Sequence, residues 1–282
     1  MDCFQLNSRT VIDKLPERSI TTHKGDYGRL LLLCGSKGYT GAASLAAMGA
    51  LRVGAGLVYL GVPESIYVIE AIKLLEPIIF PLPDQGGMLC EASIPEISKR
   101  LHNIDAVLIG PGMGRSEGIE KILLWILRNF NGPVVVDADG IYFLRDHIDT
   151  LRGRTEPVIL TPHEGEFSRL MGKSILDRTA DAVSAAKELN SIVVLKGHNT
   201  VITDGEAVYI NNTGNPGMAV GGSGDILAGM ITGLLGQGLS PLDAAAVGAW
   251  VHGAAGDICA REIGTYGMLP SDMLSIIPRL LK

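Results

Sequence analysis

The sequence predicts an α/β fold in three layers: a mostly parallel central sheet with helices on both faces. Three observations carry that prediction. Short apolar runs alternate with longer stretches of helical character over the first two-thirds of the chain. Most of the runs are apolar at every position rather than at every second one, the pattern of strands covered on both sides. Glycine accounts for 36 of 282 residues, about twice the usual ~7%, and falls in bursts after the runs, where tight strand-to-helix turns belong.

Taken in order, the expected strands are Leu30–Cys34, Leu57–Gly61, Ile78–Phe80, Ala106–Ile109, Val134–Val136, Val158–Leu160 and Ile192–Leu195. Helices are expected near 41–54, 65–75, 91–102, 116–130, 164–171 and 177–189, so that βα units repeat and each crossover returns the next strand parallel. After Lys196 the rhythm changes. Thr200–Thr203 and Ala207–Ile210 flank Asp204-Gly205-Glu206, the turn chemistry of a hairpin. A glycine-rich loop follows, then a helix from about 225 to 236 and another from Pro241 to about 262. The stretch Gly41–Val62 is apolar, but Arg52 at its middle would cost roughly 2.5–3.5 kcal/mol in a bilayer centre. It reads as a buried helix followed by a strand. No Pro/Ser-rich linker divides the chain, and a single domain over residues 1–282 is expected.

Apolar residues make up 46% and charged residues 19%, which excludes a disordered acidic chain. Lys+Arg 24 against Asp+Glu 30 gives a net charge of −6 without charge blocks. With no basic stretch to track a phosphate backbone, nucleic acid is not an expected partner. An anionic ligand must be held by local geometry against a repulsive overall field. Cys3, Cys34, Cys90 and Cys259 form no CxxC and read as buried or incidental thiols of a reducing compartment, rather than a disulfide or zinc site. The amino-terminal MDCFQLNSRTVIDKLPERS lacks a basic-then-apolar signal pattern. A cytoplasmic protein without membrane association is expected.

Ligands of open α/β sheets bind outside the carboxyl ends of the strands, and here the chemistry-bearing segments follow those ends. The strongest is Gly214 to Asp225. Its Gly221-Gly222-Ser223-Gly224-Asp225 opens a helix in which Ile226, Leu227, Met230, Ile231, Leu234 and Leu235 recur at helical spacing. The opposite face is small (Ala228, Gly229, Gly233, Gly236), as in a helix enclosed on all sides. The N–H groups of Gly222, Ser223 and Gly224 would then converge at the positive end of the helix dipole, an anion site built from backbone. Asp225 would repel a phosphate as a mere ligand. It suits a general base that takes a proton from a hydroxyl attacking a phosphoryl group held by the loop. The alternative, that Ser223 or Asp225 only caps the helix, leaves the glycines before it unexplained. The loop is neither a Walker motif nor a GxGxxG fingerprint.

Other segments are more ambiguous. Gly110-Pro111-Gly112-Met113-Gly114 follows a strand and either lets backbone approach a ligand or is a plain tight turn. His163 and Glu166 lie three apart at a strand-to-helix junction. Glu166 either caps the helix or holds Mg²⁺ through water, and Asp137 and Asp139 share that ambiguity. Lys196-Gly197-His198-Asn199-Thr200 offers a lysine to a diphosphate and exposed backbone to a base or ribose, or is a solvated turn. His252, in the apolar stretch Ala244–Ala255, reads as a core histidine, while His102 and His147 carry no signal.

Together these residues resemble the ribokinase-like superfamily and, within it, the ADP-dependent NAD(P)H-hydrate dehydratases of the YjeF C-terminal type. The resemblance runs from about His23 to Leu281. Its landmarks are His23-Lys24-Gly25-Asp26-Tyr27-Gly28, Gly41-Ala42-Ala43, Gly110 to Gly114, Asp137-Ala138-Asp139, Thr161-Pro162-His163-Glu164-Gly165-Glu166, Lys196-Gly197 and Gly221 to Asp225. GGSGD points to the superfamily; HKGDYG and TPHEGE point to the dehydratases. The resemblance implies a ribokinase-like fold and a hydro-lyase of nicotinamide nucleotide repair. The S-epimer of hydrated NADH or NADPH would return to NAD(P)H while ADP becomes AMP and phosphate.

By the same resemblance, Asp225 is the base, and the Gly222, Ser223 and Gly224 amides with Mg²⁺ stabilise the transferred charge. Ala42, Gly112, Gly114, His163 and Asp225 contact the hydrated cofactor. Lys196, Gly197, His198, Asn199, Thr200 and Gly224 contact the adenine nucleotide. A homo-oligomer, a tetramer by family, and a separate epimerase are also implied. Glu164 stands where the family often has proline. Two other readings compete: an ATP-dependent kinase of a vitamin precursor such as hydroxyethylthiazole, whose product keeps its phosphate, and a non-catalytic nucleotide-binding module.

Overall fold

Leucine and valine runs build the sheet. A computed structural model describes residues 3–282, with the side chain of Cys3, and so the expectation for its thiol, outside the described part. Strands β1 (Cys3–Gln5), β2 (Arg29–Leu33), β3 (Leu57–Pro63) and β4 (Ile78–Leu82) precede a small separate ladder of β5 (Asp84–Gln85) and β6 (Met88–Leu89). Then come β7 (Ala106–Ile109), β8 (Val134–Val136), β9 (Val158–Leu160), β10 (Ser191–Leu195), β11 (Thr200–Thr203) and β12 (Val208–Asn211). The main sheet has ten strands in the order β1-β12-β11-β10-β9-β8-β7-β2-β3-β4. Only β11 runs against its neighbours; every other pairing is parallel.

The helices are α1 (Ser8–Ile12), α2 (Thr40–Arg52), α3 (Glu64–Lys73), α4 (Ile94–Leu101), α5 (Glu117–Asn129) and α6 (Asp139–Leu144). They continue with α7 (Ile148–Arg152), α8 (Glu164–Met171), α9 (Arg178–Leu189), α10 (Ser223–Gly236), α11 (Pro241–Glu262) and α12 (Pro270–Ile276). Side chains alternate between two cores. Leu30, Leu32, Ala106, Leu108 and Val135 face the layer of α2, α10 and α11. Leu31, Leu33, Val107, Ile109, Val134 and Val136 face that of α5 and α9. Both faces are buried, which is why the strands are apolar at every position.

Several strand ends shift by one or two residues from expectation, two of them for evident local reasons. β4 runs on through Pro81 to Leu82, which an edge strand permits because one side of it has no ladder to lose. β12 starts at Val208 because Asp204 Oδ1 accepts the Ala207 N–H at 2.9 Å and the Ala207 carbonyl accepts from Thr203 Oγ1 at 2.7 Å. Cys34 and Cys259 are buried and Cys90 half-buried, all as free thiols. Among the described residues no helix is long and apolar enough to cross a membrane.

From β2 the chain proceeds to β3 and β4 on one side, and β7 to β10 lie on the other. The order therefore reverses between β2 and β7, and a crevice opens at their carboxyl ends. α10 is driven towards that crevice by close packing on α2. A Cβ on Gly229 would stand 2.0 Å from the Ala46 carbonyl oxygen, and one on Gly49 would stand 2.4 Å from that of Ile226. The two helices touch through backbone.

Candidate active site

Val220-Gly221-Gly222-Ser223 turns the chain into α10, and the Ser223 N–H donates to the Val220 carbonyl at 3.3 Å. Gly222 sits at φ 100°, ψ −17°, the third position of a type II turn, where a side chain is strained. The expected convergence of three free amides is thus narrowed, because the turn uses the Ser223 N–H. Among the described residues, no acceptor bonds the Gly222 or Gly224 N–H. These two remain open at the positive end of the helix.

Asp225 lies in the first turn of α10. Burial, and then the charge of Asp137, push its carboxyl from an ordinary 3.8 up to about 6; Lys196 opposes the rise and Asp139 adds to it. Asp137, 1% exposed, accepts from Lys196 Nζ at 2.9 Å and from Thr161 Oγ1 at 2.7 Å. Burial works against the Lys196 charge, yet Asp137, Glu166 and Asp225 hold the ammonium above its ordinary 10.5. A Cβ on Gly224 would stand 3.2 Å from Lys196 Nζ, so the ammonium lies directly against the glycine loop. The site is a cation among three acids beside two open amides.

His163 and Glu166 form a reciprocal cap on α8. His163 Nδ1 accepts the Gly165 and Glu166 N–H groups at 3.0 and 3.3 Å, while Glu166 Oε2 accepts the His163 N–H at 2.9 Å. The same Oε2 is 3.9 Å from Lys196 Nζ. Asp139 accepts the Gly114 N–H at 2.9 Å and Arg115 Nε at 3.1 Å, which brackets the loop after β7. Among the described residues no group of three His, Cys, Asp or Glu is arranged to hold a metal ion.

The crevice between β2 and β7 gathers Ala42, Gly112 and Gly114 of the residues expected to meet the hydrated cofactor, whereas His163 lines the cavity on the Lys196 to Thr200 side. Ser36 Oγ donates to the Gly112 carbonyl at 2.8 Å. A Cβ on Gly112 would meet that of Ala42 at 2.6 Å, and one on Gly114 would meet Met88 Sδ at 2.7 Å. Ala42, Gly112 and Gly114 therefore share one wall. Cys34, at the end of β2, is near enough that Asp225 and Asp137, after burial itself, push its thiol well above 9.0.

On the other side of the glycine loop lies a cavity of about 630 Å³. It is lined by His163 and the whole of Lys196-Gly197-His198-Asn199-Thr200, by Asn211 and Thr213 to Pro216, by Ser223 and Gly224, and by Leu227, Ala249 and His252 among others. Its size suits a nucleotide. His252 is 7% exposed with Nε2 3.4 Å from Ser223 Oγ. Burial holds it down at about 4, a contact with Ser223 opposes that shift, and the Lys196 charge adds to it. It is neutral in the core as expected, but it also faces the anion loop. A second cavity, about 450 Å³, lies among Arg128, Asp149 and Arg154; there Arg154 already donates to the Leu127, Phe130 and Gly132 carbonyls.

A family model described as NAD(P)H-hydrate dehydratase matches residues 30–279. The chain belongs to that family. It is 44% identical over 276 residues to the bifunctional NAD(P)H-hydrate repair enzyme Nnr of Moorella thermoacetica, covering 95% of this chain and 52% of that protein. The chain thus spans about half the length of the curated relatives it matches. Among solved structures it is similar to the ADP/ATP-dependent NAD(P)H-hydrate dehydratase of Bacillus subtilis co-crystallized with ATP/Mg²⁺, at 32% identity and TM-score 0.83, covering 97% of this chain and 96% of that one. A ribokinase-like superfamily protein from Enterococcus faecalis V583 matches at 26% identity and TM-score 0.86, covering 99% and 95%. The ribokinase-like three-layer fold expected from the sequence is the fold this family member has.

Sequence reasoning named Asp137, Lys196 and His252 singly but missed how distant side chains of the candidate site pair. The Asp137–Thr161–Lys196 group and the facing of His252 onto Ser223 join residues 24 to 59 positions apart. Their only sequence signal was a polar residue immediately after an apolar strand or inside an apolar helix.

Proposed function

We propose that this chain, acting as one unit over residues 1–282, dehydrates the S-epimer of hydrated NADH or NADPH at the expense of an adenine nucleotide, ADP in the first place. The observation that carries the reading is the Asp225 carboxyl, raised to about 6 and within reach of the Lys196 charge, in the helix turn whose Gly224 lies against Lys196 Nζ. A base poised near the working pH is effective in proton transfer. The hydrate lies on the wall of Ala42, Gly112 and Gly114, and the nucleotide lies in the cavity beyond the loop with Lys196 to Thr200 around it.

Asp225 takes the proton of the ring C6 hydroxyl as its oxygen bonds to the β-phosphorus of ADP, and the bond to AMP breaks. The Gly222 and Gly224 amides and the Lys196 ammonium stabilise charge on the transferred group. The ring nitrogen lone pair then expels phosphate from C6, loss of a C5 proton restores the double bond, and the products are NAD(P)H, AMP, phosphate and a proton. A donor set of single, already-bonded carboxylates does not cage a metal but suits Mg²⁺ held by substrate phosphates and water. Glu166 is the residue to meet such water, and the ion supplies charge neutralisation when bound.

A cytoplasmic location, a homo-oligomer and an epimerase working alongside it complete the reading. The exposed apolar face of α3, with Val68, Ile69 and Ile72 open to solvent, supports an interface between copies. Hydrated NADH incubated with the purified protein and ADP or ATP tests the reaction. Recovery of NADH absorbance with equimolar AMP or ADP and phosphate is expected. Accumulation of a stable phosphoester makes the chain a kinase, and no turnover with either nucleotide refutes the proposal.

A further inference from the structure

Arg178 opens α9 and belongs to none of the motifs above, yet its guanidinium reaches back to the carboxyl edge of the sheet. Nη1 pairs with the Glu164 carboxylate at the start of α8. Nη2 donates to the carbonyls of Leu195 at 3.0 Å and Lys196 at 3.3 Å. One side chain thus ties the loop after β9 to the loop after β10. The turn sits on the guanidinium itself: a Cβ on Gly197, at φ 141°, would stand 3.0 and 3.2 Å from its two terminal nitrogens. Glycine alone lets the backbone come so close. Nε is buried and finds no acceptor among the described residues. A buried donor left unpaired is costly and asks for a reason beyond stability.

We propose that Arg178, locked in place by Glu164, is the positioning residue of the nucleotide turn. By holding the Leu195 and Lys196 carbonyls back against α9, it keeps the backbone of residues 197–200 turned towards the adenine nucleotide. Lys196 Nζ is anchored separately, by Asp137 at 2.9 Å, so the pair governs nucleotide affinity more than turnover. The inference rests on reading the 630 Å³ cavity as the nucleotide site.

Calorimetric titration with ADP, alongside steady-state kinetics, tests it on Arg178→Ala, Arg178→Lys and Glu164→Gln. Loss of a charged group bonded to two carbonyls is expected to weaken ADP binding and raise its KM by about tenfold, with the KM for the hydrate unchanged. Arg178→Lys keeps the charge but cannot serve two carbonyls and a carboxylate at once. It should therefore keep the fold but still bind ADP weakly. Glu164→Gln removes a partly exposed pair and should weaken ADP binding by about two- to threefold. If Arg178→Ala does not fold, the other two variants carry the test. ADP affinity unchanged in the folded variants overturns the proposal, and so does equal loss of ADP and hydrate affinity, which marks a general structural role. Failure of the parent protein to bind either ADP or ATP overturns the nucleotide-site reading beneath it.

Discussion

Replacing Asp225 by Asn should make the protein more stable and nearly inactive at once. The reason is that the carboxylate is charged at neutral pH in a place that disfavours charge. Burial and Asp137 push it from 3.8 to about 6, and at about 1.4 kcal/mol per pH unit the folded state bears a cost of roughly 3 kcal/mol once the group ionises. The sign follows from proton counting. Between pH 4 and 6 the folded chain holds a proton that the unfolded chain has released, so Asp225 takes stability away as the pH rises and takes nothing below about 4. Asn carries no such cost. At pH 7 the variant should gain up to about 3 kcal/mol, or several degrees in Tm, and the gain should vanish by pH 4. His252, held at about 4, works in the opposite direction but is present in both proteins and cancels in the difference. Removing the base should lower kcat by about 10²- to 10⁴-fold. Thermal melts of both proteins from pH 4 to 8, with NADH recovery from its hydrate, give both numbers. Parallel stability curves, or turnover within tenfold of the parent, refute the assignment.

Lys196→Met should strip the buried Asp137 of its counter-charge and cost about 3–5 kcal/mol. Adding Asp137→Asn should recover most of that in a melt without restoring nucleotide-dependent turnover. Gly229→Ala drives a methyl to 2.0 Å from the Ala46 carbonyl and should lower Tm by the equivalent of at least about 1–3 kcal/mol. Gly221→Ala, with nothing within 4 Å of the added carbon, should leave Tm alone and serves as its control. His252→Gln should remove a source of acid sensitivity. The parent histidine loses stability as pH falls from 6.5 towards 4, because only the unfolded chain takes up the proton there; the variant's melts should be flatter across that window.

The sheet was legible because its signal is local. Seven continuous apolar runs became β2, β3, β4, β7, β8, β9 and β10 with ends shifted by a few residues at most. The elements missed were those too short to show a period. α6 and α7 are six and five residues long, β1 is three, and α12 opens at Pro270 and has only seven. The site divides in the same way. Its backbone part was readable, since Gly222 at a positive φ and the amides beside it leave a compositional trace. Its side-chain part was not, because Lys196 and Asp137 lie 59 positions apart and meet only once β8 and β10 take their places either side of β9.

The glycines of α2, α10 and the loop before α10 serve one structural purpose with two parts. An anion site made of main chain works only if a helix N-terminus reaches the crevice where strand order reverses, and it gains strength there from exclusion of water. α10 can reach it only by lying close against α2 and β2. Gly49, Gly229 and Gly233 remove the side chains that would hold the two helices apart, and Gly28 meets Gly236 at the far end. Gly222 and Gly224 then shape the loop that the packed helix presents. Enlarging a packing glycine would move the whole helix, and with it Asp225, away from Lys196. The packing glycines and those of the proposed anion loop are therefore coupled: a Gly229 variant that still folds should lose turnover as well as stability, whereas a variant that kept full turnover after a large loss of Tm would show the loop to be positioned by something other than the α2–α10 contact.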